Sequence, residues 1–102
     1  MEDIHPIFTR FKSDFPEVYT RHEALGREIH ENSGPLDAKT RALIKVAVAA
    51  ATGHQRALET QLQAAREAGT GSEEITQALL LIIPTCGFPA FMEAYTTLHP
   101  TG

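Results

Sequence analysis

The sequence has a single cysteine among its 102 residues. That excludes an internal disulfide and argues against a secreted, disulfide-stapled scaffold. Positive charge is also scarce: nine Lys and Arg stand against thirteen Asp and Glu, a formal net charge of −4. No basic block occurs, so the electrostatic footprint of a nucleic-acid binder is missing. Long apolar runs are missing too. The longest, residues 46–51 and the equally long 78–83, fall far short of the ~20 residues a helix needs to cross a bilayer. The opening Met1-Glu2-Asp3 is acidic and leads into no apolar stretch, so no signal peptide is expected. The expectation is a soluble, cytoplasmic protein. No stretch alternates long enough to be a strand, and there is no internal repeat or low-complexity tail. One domain is expected over residues 1–102, with a core sufficient for its size but not generous.

What the sequence does contain is helical periodicity. Ile4, Ile7, Phe8 and Phe11 share one helical face despite Pro6, predicting a helix over 4–12. Pro16 suits a first helical turn, and Phe15, Val18, Tyr19, His22, Leu25 and Ile29 recur at three and four, predicting 15–31. Asn32-Ser33-Gly34-Pro35 is a loop. Asp37 is a good N-cap for a helix over 37–52, and past Lys45 that helix has no polar face. Gly53 ends it, and a helix over 54–69 follows with Leu58, Leu62 and Ala65 on one side and Arg56, Glu59, Gln63, Arg66 and Glu67 on the other. Gly71 or Ser72 caps a helix over 72–84, with Glu73 and Glu74 near its positive end. Ile75, Ala78, Leu79, Ile82 and Ile83 line its apolar face, and Pro84 should bend or stop it. A last helix, 87–98, carries Phe91, Met92, Tyr95 and Leu98. The fold class expected is all-α, a bundle of five to six helices.

The apolar surplus on 37–52 and 75–83 exceeds what a small single bundle can bury. Either both are central core helices, or part of their surface is covered by another copy of the chain. The second reading predicts a homo-oligomer.

The run Leu36-Asp37-x-Lys39-Thr40-Arg41, then Glu67-Ala68-Gly69, Glu73-Glu74-Ile75 and Gly87-Phe88-Pro89-Ala90, in that order and spacing, resembles the carboxymuconolactone decarboxylase and AhpD-like (alkylhydroperoxidase D-like) family. The resemblance covers roughly residues 36–98. It implies an AhpD-like helical bundle assembled as a homotrimer or homohexamer. It also implies an activity of the peroxiredoxin/alkylhydroperoxidase type or the decarboxylation of a small acid.

AhpD-like enzymes place a Cys-x-x-Cys pair at the start of the second central helix, a histidine four residues beyond it, and a glutamate on the preceding helix. One thiolate attacks, the other thiol resolves the product, and Glu and His move the proton. Here those positions carry His54 and Ala57, Gln61, and Ala42. The decarboxylase branch keeps the histidine, and that position is Gln61 as well. No family site residue carries over, and fold likeness alone does not transfer chemistry.

His54, Gln61 and Lys45 remain as residues that can line the family pocket. His54 is the candidate acid or base, since an unperturbed imidazole titrates near pH ~6.5; its bland reading is a partly exposed first-turn residue. Gln61 is either a buried structural amide or a ligand contact. Cys86, in Pro84-Thr85-Cys86-Gly87, reads as a small buried hydrophobe that can line the pocket without reacting. His22 reads as a satisfied core histidine. His5, His22, His30, His54 and His99 are scattered, and His22, Glu23, Glu28 and His30 have no good ligand spacing, so neither metal nor cofactor is expected. Lys39, Arg41 and Lys45 can attract an acidic ligand, or can equally be solvated or bridge subunits. The partners expected are further copies of the chain and a small apolar or acidic ligand, with no nucleic acid and no membrane. A non-catalytic oligomeric ligand-binding or structural protein is the alternative to a divergent, non-thiol enzyme.

Overall fold

The structure, a computed structural model, describes residues 6–100. The expected contributions of Met1-Glu2-Asp3, Ile4 and His5 lie outside the described residues. Seven helical segments and no strand occur among those described: α1 Pro6–Asp14, α2 Pro16–Asn32, α3 Ala38–Thr52, α4 Gln55–Glu67, α5 Ser72–Leu80, α6 Ile83–Cys86 and α7 Phe88–Leu98. The all-α fold is therefore as expected. The chain divides into two compact units between Asp37 and Ala38.

In the first unit α1 packs against α2. The two nearly run on from one another: the Phe15 amide donates to the Phe11 carbonyl at 2.8 Å and the Tyr19 amide to the Phe15 carbonyl at 2.9 Å. Pro16, which has no amide hydrogen, sits in the first turn of α2. Neither helix buries a residue. His22, expected as a core histidine, is exposed. The three-and-four spacing located α2 correctly but gave no measure of how deeply its apolar side is covered.

In the second unit α3 packs against α4, α5 and α7. Val46 from α3, Leu58 and Leu62 from α4, Ile75 and Leu79 from α5, and Phe91 from α7 form its core, with small residues Ala42, Ala49, Ala50, Ala65 and Ala94 between them. Alanine at these positions lets helix backbones approach closely. The α3–α4 turn rests on Gly53, whose φ of 73° lies in the left-handed region that glycine enters without steric cost. The Gly53 amide donates to the Ala50 carbonyl at 3.2 Å and the His54 amide to the Ala49 carbonyl at 3.1 Å. Two bonds in that pattern close a helix C-terminus tightly. The turn delivers His54 directly to the head of α4, where it is the N-cap residue.

The helix expected over 72–84 is divided. Gly71 caps α5, and its amide donates to the Glu74 carboxylate at 2.8 Å. The helix then stops at Leu80, and a single turn, α6, restarts at Ile83. Pro84 accounts for this, because its ring clashes with the carbonyl four residues back, at Leu80, and it offers no amide hydrogen there. Cys86 ends α6 and is exposed, which corrects its reading as a buried hydrophobe: a one-turn helix ahead of Gly87 leaves its end outside the core. Gly87 has φ 93° and ψ 160°, a conformation essentially confined to glycine, and it turns the chain into α7. Along α7 the rings of Phe91 and Tyr95 stack at 5.3 Å.

Candidate functional site

The turn between α3 and α4 and the first turns of α7 enclose a cleft of about 250 Å³. Its floor and walls are largely apolar, from Ala49, Ala50, Leu58, Pro89, Ala90 and Ala94; its polar groups belong to Thr52, His54, Gln55 and Glu93. All of these lie in the second unit.

The polar groups are tied together. The Thr52 hydroxyl donates to the Val48 carbonyl at 2.8 Å. Its oxygen lies 3.3 Å from His54 Nδ1. The roles at this contact depend on the His54 tautomer: in the Nδ1–H form the Thr52 oxygen accepts and the lone pair of His54 Nε2 faces away from it. Across the cleft the Gln55 amide nitrogen donates to the Thr97 hydroxyl, and Thr97 donates to the Glu93 backbone carbonyl at 3.2 Å. The link joins the head of α4 to α7. The Glu93 side chain is exposed.

Of the four residues singled out from sequence, His54 alone lines this cleft. Gln61 lies two turns further along α4, about 10 Å at 1.5 Å rise per residue. It is half-buried, and its side-chain oxygen is buried and accepts no hydrogen bond among the described residues. Lys45 is half-buried on α3. Burial lowers its pKa from 10.5, and Arg41, one turn away, lowers it further. Cys86 lies on α6, outside the cleft lining.

Thr52, Gln55 and Glu93 did not stand out in the sequence. Glu93 looks like one more solvated residue of the last helix, and its signal is weak: Ala90 and Ala94 beside it are small enough to let another element approach. Among the described residues, no group of three or more His, Cys, Asp or Glu could hold a metal ion, and no helix is long and apolar enough to cross a membrane.

A family model described as the carboxymuconolactone decarboxylase family matches residues 16–99. The chain is also similar to two uncharacterized proteins of Methanocaldococcus jannaschii. One is 32% identical over 89 residues, covering 86% of this chain and 85% of the relative. The other is 30% identical over 83 residues, covering 81% of this chain and 77% of the relative.

Proposed function

The chain belongs to the carboxymuconolactone decarboxylase family, and from that premise we propose that it is a divergent, non-thiol member whose cleft holds a small molecule. His54 serves there as the acid or base. Paired-thiol chemistry needs two sulfurs whose Cα atoms lie within about 7 Å. The sequence has one cysteine, and its side chain is not part of the cleft lining. The observation that carries the reading is the place of His54 in the lining of an apolar cleft, with Thr52 3.3 Å from its Nδ1; in the Nδ1–H tautomer Nε2 is the proton acceptor.

The proposal includes self-association as a homotrimer or homohexamer in the cytoplasm. Ile44 and Val48, one turn apart on α3, keep 46% and 54% of their surface exposed. This apolar ridge favours burial against another copy, and it also supports the second reading, a non-catalytic oligomeric binding or structural protein.

Dithiol-dependent peroxide consumption tests the proposal. No turnover above the enzyme-free rate is expected. Turnover that disappears in Cys86→Ser would overturn it, because the paired thiol would then have to come from a second chain.

A further inference from the structure

We infer that the cleft at the α3–α4 turn selects a compact organic amine, held through its ammonium by the Glu93 carboxylate, and discriminates against carboxylates. The inference rests on the reading of this cleft as a ligand site.

Size comes first. The cleft's 250 Å³ lies below the ~300–1,000 Å³ of drug-sized pockets. At about 30 Å³ for each water-sized unit it has room for about eight heavy atoms. The lining sets the rest of the chemistry. Ala49, Ala50, Leu58, Pro89, Ala90 and Ala94 offer an apolar surface for a small hydrocarbon body. No Lys or Arg lines the cleft, and Glu93 is its one acidic residue.

Among the described residues the Glu93 carboxylate forms no ion pair. His54 and Gln55 line the same cleft. In its Nδ1–H tautomer His54 offers the Nε2 lone pair, and the Gln55 side chain spends an N–H on Thr97 while its carbonyl oxygen remains to accept. An ammonium carries three donors and no acceptor, the complement of such a lining.

One feature pulls the other way. The head of α4 carries a partial positive charge of about half a unit, which favours anions. Glu93 carries a full negative charge, so the balance still favours a cation.

Benzylamine, benzyl alcohol and benzoate share one body, have eight or nine heavy atoms and differ in charge. Each would be titrated into the full chain with binding followed by the amide NMR signals of Gly53, His54, Gln55, Ala90 and Glu93. Benzylamine should bind about 2- to 25-fold more tightly than benzoate, since exposed charge pairs are worth about 1.4- to 5-fold each way. Glu93→Gln should erase up to about fivefold of benzylamine affinity and narrow its margin over benzoate, and the dispersion of the variant's amide NMR signals shows that it is folded. Benzoate binding as tightly as benzylamine, or a benzylamine preference that survives Glu93→Gln, would overturn the inference while leaving the cleft a ligand site. Failure of all three to bind would overturn both.

Discussion

Replacing Val48 with glutamate distinguishes an isolated chain from an assembled one by the sign of its effect. Val48 lies mid-helix on α3 and keeps 54% of its surface exposed, next to Ile44 at 46%. In a lone chain the substitution leaves core packing untouched, and glutamate is the better helix former by a few tenths of a kcal/mol. The melting temperature should then stay level or rise. In an assembly the ridge is covered. Full burial of a valine stabilises by about 1.5–3 kcal/mol, so covering its exposed half contributes about 1 kcal/mol in each protomer. Glutamate forfeits that and brings an unpartnered carboxylate into the contact, at a further cost of at least about 1–3 kcal/mol. Each subunit contact should weaken by tenfold or more, since ~1.4 kcal/mol is one decade. Light scattering at micromolar concentration should give a multiple of the single-chain mass for the wild type and a smaller mass for Val48→Glu, with a melting temperature that depends on protein concentration. A wild-type mass of one chain, or an unchanged assembly in the variant, would refute the argument.

Lys45 should give stability a pH dependence. Its pKa is lowered in the folded state, so between that value and 10.5 the unfolded chain binds more protons, and stability rises with pH. Lys45→Met should flatten this rise in chemical-denaturation curves taken up to alkaline pH and should stabilise the protein most at neutral pH, where the buried charge costs most; a variant that tracks the wild type in parallel would contradict it. Cys86 is exposed, so Cys86→Ser should shift unfolding free energy by no more than ~0.5 kcal/mol; a loss of 2 kcal/mol or more would place the thiol in a covered environment.

The sequence made the helices legible wherever apolar spacing and a stop signal agreed. Gly53 is such a case: an apolar α3 runs into it, and its positive φ closes the helix and opens α4. Pro84 shows the limit. Its effect on the ladder was expected, but the distance from Leu80 to Ile83 before helix resumes depends on how α6 and α7 pack. Burial was less legible than periodicity. Phe15, Val18, Leu25 and Ile29 recur as helical residues should, yet they remain 52–58% exposed, because periodicity says which residues share a face and not what covers that face. The site was half-visible. His54 could be picked out because it follows the turn glycine and occupies a family cysteine position. Whether Lys45 and Gln61 share a cavity with His54 depends on how the helices pack, which spacing along the chain does not give. Glu93 is remote in sequence and reaches the cleft only because α7 packs against α3 and α4.

Two of the positions that the resemblance assigns to catalytic groups are packed into hydrocarbon. Ala42, at the position the resemblance assigns to a glutamate, is 8% exposed and packed into the core. A carboxylate there would be desolvated, at a cost of several kcal/mol unless it found a partner. Ala57 is packed against the same core, so a thiol there would enter a space already lined by hydrocarbon. Gln61 stands at the position the resemblance assigns to a histidine; its oxygen is buried without a hydrogen bond among the described residues, two turns from His54 along α4. His54 differs from them in kind: it sits at the helix head, outside the core, with Thr52 fixing one ring nitrogen and the other left to react or bind. The chain belongs to the family, while the titratable groups that line its cleft are His54 at the turn and Glu93 on α7, and function is argued from such a site rather than from the fold that carries it.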